Sequence, residues 1–143
     1  MKVREILKSK GSRVVTASPH ATIDALVHRL KLEGIGAAVV TEDGSRVDGI
    51  VSERDVVRSL ASFGPRLLDM RVADIMTNAV TCTPEDGVKE VMRRMTIQRV
   101  RHLVVIEEGR LAGIVSIGDV VKSRLDEIEM EANVLRDYIV AHQ

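Results

Sequence analysis

The pattern Gly-Ile-Val-Ser-x-x-Asp occurs twice in the chain, as Gly49–Asp55 and again as Gly113–Asp119. Its residue types suit recognition of a small polar molecule. Glycine allows a tight lead into a strand and close backbone approach. Ile-Val makes the strand. Ser52 and Ser116 stand where that strand gives way to a helix, and Asp55 and Asp119 fall at the first helical turn, where an anion is favoured. There a carboxylate can accept two hydroxyl hydrogen bonds, and the adjacent hydroxyls of a ribose are a natural partner. Ser-x-x-Asp is also a variant of the capping box, and the local pattern alone favours that plainer role.

The second feature is basic. Arg93, Arg94, Arg99 and Arg101 cluster in the second half of the chain, followed by His102. Most such clusters are solvated faces, but a guanidinium also matches phosphate oxygens in bidentate fashion. No Ser-His-Asp ordering or carboxylate pair stands out as catalytic. The single cysteine, Cys82, cannot form an internal disulfide, and no Cys/His cluster has zinc spacing. Cys82 reads as a small apolar packer.

The elements that must position these residues are themselves duplicated. Gly49 matches Gly113 at an offset of 64; Ala38-Val39-Val40 matches Leu103-Val104-Val105 and Pro19 matches Pro84 at 65; Val3–Leu7 matches Val72–Met76 at 69. The drift places insertions between matched segments, where loops absorb length changes. Each copy reads as β-α-β-β-α behind a short apolar lead-in. Helical spacing is seen at Ile23, Leu26, Val27, Leu30 and at Val88, Val91, Met92, Met95. Helix starts are expected at Thr83-Pro84-Glu85-Asp86 and, more weakly, at Ser18-Pro19. The division is repeat one over 1–62, a linker over 63–71, repeat two over 72–124 and a helical extension over 125–143. The fold class is α/β (α+β), with the repeats paired by a pseudo-two-fold axis. In the extension, Val121, Leu125, Ile128, Ala132, Leu135 and Ile139 step by four and three, a seam suited to a homodimer contact or to packing on the chain's own flank.

Composition narrows the classes. The 143 residues are 45% apolar but only 1% aromatic, and 21 basic residues balance 21 acidic ones. That is too apolar for disorder and carries no global basic field for nucleic acid. No apolar run suits a membrane span and no signal peptide is evident, so a cytoplasmic setting is expected. A unit of about 60 residues is marginal alone. Two would share an interface and make two related clefts, where a small ligand tends to bind.

The doubled order, closed each time by Gly-Ile-Val-Ser-x-x-Asp, resembles a tandem pair of cystathionine-β-synthase (CBS) domains, a Bateman module. Val72-Ala73-Asp74-Ile75-Met76-Thr77 and Arg101-His102-Leu103-Val104-Val105 are typical segments. Copy one departs with Leu7-Lys8 in place of Met-Thr and with Gly36-Ala37-Ala38 in place of Arg101-His102-Leu103. The resemblance implies a regulatory module, not an enzyme, that binds an adenine nucleotide between the repeats. AMP leads, with ATP, ADP or NAD(H) as alternatives. It puts Asp55 and Asp119 on the ribose, Ser52 and Ser116 near ribose or phosphate, Thr16 and Thr81 at the adenine, and Arg101 and His102 on phosphate, with Arg54 and Arg99 as further candidates. The two clefts are expected to be unequal. The implied partners are the nucleotide, a second copy of the chain and a regulated protein. The competing reading is a structural dimer module whose clefts take no ligand.

Overall fold

The computed structural model describes residues 1–142. Repeat one comprises α1 (Val3–Lys10), β1 (Thr16–Ala17), α2 (Ile23–Glu33), β2 (Ala37–Val40), β3 (Gly49–Ser52) and α3 (Glu53–Phe63). Repeat two comprises α4 (Val72–Ile75), β4 (Thr81–Cys82), α5 (Val88–Gln98), β5 (His102–Glu107), β6 (Arg110–Ser116) and α6 (Ile117–Ala141). Each repeat forms a three-stranded sheet in which the first strand runs parallel to the second and the second antiparallel to the third. The mixed α+β class and the doubled order are as the sequence predicts.

The lead-in helices cross over. Val3 and Ile6 of α1 are buried among Val88, Val91, Met95, Leu103 and Val115 of repeat two, while Val72 and Ile75 of α4 are buried among Ile23, Leu26, Leu30 and Val51 of repeat one. The backbone repeats the exchange with matching partners. Val3 N–H donates to Asp86 O (2.9 Å) and Arg4 N–H to Pro84 O (2.9 Å); at the matched positions Val72 donates to Ala21 O (2.8 Å) and Ala73 to Pro19 O (2.9 Å). These bonds satisfy N–H groups that a helix start leaves without internal partners.

The exchange also moves the helix starts. α5 begins at Val88 and α2 at Ile23, each about one turn later than the sequence signals indicate. Gly87 and Thr22 are held extended because each bridges the incoming lead-in, at Lys2 and Arg71 respectively. Thr83–Asp86 is a turn instead, in which the Asp86 carboxylate accepts from Thr83 N–H (3.0 Å) and Oγ (3.1 Å). The 63–71 segment is more than a linker: Gly64–Asp69 forms a 3₁₀ turn whose Leu67 is buried in the repeat-one core.

Close approach of each lead-in to the opposite repeat needs glycine. A Cβ on Gly49 would lie 2.7 Å from the Thr77 carbonyl oxygen, and one on Gly113 would lie 2.7 Å from a Leu7 methyl. Leu7 and Met76 thus hold matching places despite the sequence difference. The Thr77 oxygen belongs to the backbone, which itself exchanges hydrogen bonds with Ile50, whereas Leu7 can rotate away. Gly49→Ala is therefore expected to cost about 1–3 kcal/mol by overpacking and Gly113→Ala clearly less. Urea denaturation of the two variants checks this ordering.

Candidate functional site

Where β3 runs into α3, Ser52 is the N-cap and Asp55 completes a capping box. Ser52 N–H (2.8 Å) and Oγ (3.0 Å) both donate to Asp55 Oδ2, and Asp55 N–H returns a bond to Ser52 Oγ (3.3 Å). Oδ1 has no hydrogen-bond partner among the described residues and keeps its acceptor sites. The cap and the ligand role are therefore compatible: one carboxylate oxygen closes the capping box at the start of α3 and the other is left for hydroxyl donors.

Asp55 faces a cleft of about 440 Å³ built from both repeats. Repeat one supplies Gly36, Ile50, Ser52, Glu53, Arg54, Asp55 and Arg58; the facing wall from repeat two includes Asn78, Val80, Arg99, Val100, Arg101 and His102. Six of the ten residues singled out in the sequence, Ser52, Arg54, Asp55, Arg99, Arg101 and His102, thus line one cavity. Arg58 and Val80 were not singled out. Arg58 carries its own signal, one helical turn beyond Arg54. Val80, just ahead of β4, lines this cleft, while Thr81 lines a separate depression with Arg46, Asp48 and Ile106. Thr16 is half-buried on β1, paired with Val39, and lines neither cavity.

Ser116 and Asp119 form the matching capping box at the start of α6. There an internal cation joins the cap: Lys10 Nζ lies 2.6 Å from Asp119 Oδ2, the oxygen that also accepts from Ser116 N–H, and 3.0 Å from the Ile114 carbonyl oxygen, while Oδ1 has no hydrogen-bond partner among the described residues. Burial opposes ionisation of Asp119, but the Lys10 ammonium and the Ser116 N–H outweigh it and hold the carboxyl below its ordinary value. Lys10 reaches this point because α1 has 8 residues where α4 has 4. The added turn accounts for the drop in offset from 69 to 65.

The cationic side chains are unequal in the same sense. Arg54, Arg99 and Arg101 all match glycines in the other copy (Gly118, Gly34 and Gly36), and Arg58 matches Lys122. Arg99 adopts φ 55°, ψ 42° as the C-cap of α5, the left-handed region occupied by Gly34 at the end of α2. Outside glycine this conformation costs roughly 1–2 kcal/mol. None of the four arginines is in an ion pair among the described residues. Arg94, by contrast, is tied to Thr81 O (2.8 Å) and Asp86 (3.3 Å), a structural role. Cys82 is buried in the repeat-two core, and desolvation, helped by the Asp86 charge, pushes its thiol up to about 12. Its place is that of an apolar packing residue.

A family model for the CBS domain matches residues 3–62 and 72–126. A mitochondrial CBS domain-containing protein of Arabidopsis thaliana, CBSX3, is 34% identical over 96% of this chain and 71% of its own length. The CBS-domain containing protein ATU1752 of Agrobacterium tumefaciens superposes with a TM-score of 0.83 at 43% identity, covering 87% of this chain and 99% of that one. The CBS domain protein PAE2072 of Pyrobaculum aerophilum, crystallised in complex with AMP, superposes at 0.72 with 31% identity, covering 83% and 89%.

His102 lines the cleft beside Gly36 and Glu53. Burial lowers its pKa first, and the Lys10 and Arg101 charges lower it further against the opposing pull of Asp119 and Glu53. Below the ordinary value of 6.5 the unfolded chain thus takes up a proton that the native imidazole refuses, so stability rises with pH across that window. In guanidinium melts between pH 7 and pH 5, wild type is expected to lose stability on acidification faster than His102→Gln; parallel curves would contradict this.

Proposed function

Since the chain belongs to the CBS domain family as a tandem pair, we propose that it is a regulatory module that binds one adenine nucleotide per chain in the Asp55 cleft. One observation carries the reading: a free carboxylate oxygen, four arginines and an aliphatic lining of Ile50, Val80 and Val100 converge on a single cavity of about 440 Å³, within the range that holds small ligands. With Phe63 and Tyr138 as the only aromatics, both outside the cavity lining, the base lies between aliphatic side chains. Asp55 Oδ1 accepts from the ribose hydroxyls, and the guanidiniums take the phosphate. The AMP complex of PAE2072 supports the ligand class. The nucleotide is bound and not transformed: no general base beside a reactive group is part of this reading.

A ligand held by both repeats shifts the module by as much as its affinity differs between two repeat arrangements. The output passes to a protein partner, and homodimerisation gives it a surface. Along α6, Leu125 is 60% exposed and Leu135 59%, and Val57 and Leu60 of the matching helix α3 are exposed too. The sequence seam does not pack on its own flank; a second copy is the proposed occupant. The buried unpaired thiol suits a reducing compartment such as the cytoplasm.

Isothermal titration with adenine nucleotides is expected to give one site per chain. Asp55→Ala should weaken binding by about 1.5–3 kcal/mol, the range for hydrogen bonds to a charged group. Asp119→Ala, whose partner is Lys10, should leave it nearly unchanged. The reverse pattern would move the site to the other cleft, and no heat with any nucleotide would favour the structural dimer module.

For the dimer, light scattering of the Leu125→Glu, Ile128→Glu double variant should report a monomer where wild type reports twice that mass. An unchanged mass would place the contact elsewhere.

A further inference from the structure

We propose that the Asp55 cleft selects its ligand by phosphate number, and that its ligand is a nucleoside polyphosphate, not a monophosphate. The inference rests on the nucleotide reading of this cleft and goes beyond it in naming what the arginines count.

The cleft carries more phosphate-binding capacity than one phosphate uses. Arg54, Arg58, Arg99 and Arg101 face two lining carboxylates, Glu53 and Asp55, a surplus of two positive charges. The N-terminal end of α3, which opens into the same cleft, adds roughly half a charge more. A monoester phosphate brings about 1.5–2 negative charges and leaves part of this uncompensated. The donors are also spread out. Arg54 and Arg58 are one turn apart on α3, about 6 Å along its axis, while Arg99 and Arg101 stand on the opposite wall. Each guanidinium offers a rigid fork that suits two phosphate oxygens. Four forks from two walls match a chain of phosphates lying between them.

The backbone gives independent support. Arg99 holds a left-handed conformation that its counterpart in the other copy meets with Gly34. A glycine there would be the easier residue. An arginine in this position carries a conformational cost that glycine would avoid, and its side chain lines the cleft, where a ligand contact would offset that cost. The other copy, with Gly34, Gly36 and Gly118 at three of the four matched positions, carries no such array.

The test is calorimetric titration of the full chain with AMP, ADP and ATP, without divalent cation and at two salt concentrations, repeated on Arg99→Gly, Arg101→Gly and the double variant. ATP is expected to bind at least about tenfold tighter than AMP, with ADP between, and the ratio should shrink at higher salt. In the double variant, ATP and AMP should converge to within about twofold. Unliganded Arg99→Gly should melt no lower than wild type, which separates a lost phosphate contact from a lost fold. Equal affinities for AMP and ATP in wild type, or an unchanged ratio in the double variant, would overturn the phosphate count while leaving the nucleotide reading intact. Binding of none of the three would overturn both.

Discussion

The structure depends on a reciprocal exchange of the first few residues of each repeat. Each repeat sends a short helix into the other's core, and each receives that helix on the backbone just ahead of its own second helix. Burying a Val or Ile side chain fully is worth about 1.5–3 kcal/mol. Val3 with Ile6, and Val72 with Ile75, are therefore large contributions to units that are marginal by size. Neither hydrophobic cluster is complete without the other half of the chain. The two repeats pack as one body, and the Asp55 cleft between them is set by the same contacts that close the cores. The glycines that open the closing motifs take part in this arrangement: Gly49 and Gly113 leave room for the lead-in of the opposite repeat.

Within that symmetric frame the surroundings of Asp55 and Asp119 differ by a few residues. A four-residue extension of α1 carries Lys10 onto Asp119. Substitutions at Gly-matched positions concentrate guanidiniums around Asp55. The two changes act in the same direction. Both carboxylates keep Oδ1 without a hydrogen-bond partner among the described residues, but Asp119 carries an internal cation on Oδ2 and has Gly34, Gly36 and Gly118 at three matched positions. Asp55 meets no such cation and shares its cleft with four arginines that are in no ion pair among the described residues. His102 stands between them, feeling Lys10 and Asp119 on one side and Glu53 on the other. The zero net charge of the chain conceals this local imbalance.

Much of this was legible in the residues. The duplicated Gly-Ile-Val-Ser-x-x-Asp located both strand-to-helix junctions, because the strand, cap and first turn are set by local chemistry. The inequality of the clefts could be read from Gly36-Ala37 standing opposite Arg101-His102. The crossover was not legible, because hydrophobic periodicity says that Val3 and Ile6 are buried but not against which repeat. The misplaced helix starts follow from the same gap: Pro84 and Asp86 are good first-turn residues, but their carbonyls are claimed by α1. The resemblance puts Thr81 at the adenine, but its neighbour Val80 lines the Asp55 cleft, because successive residues of an extended chain face opposite sides. The Lys10–Asp119 pair was hidden in an offset change from 69 to 65, visible as four extra residues but silent about where they point.

Whether a ligand bridges the two repeats at Asp55 while Lys10 holds Asp119 is decided by a crystal structure of the chain grown with ATP. One nucleotide per chain is expected, its ribose on Asp55 Oδ1 and its phosphates between Arg54, Arg58, Arg99 and Arg101, with the Lys10–Asp119 contact intact. A nucleotide seated on Asp119 with Lys10 displaced would contradict it.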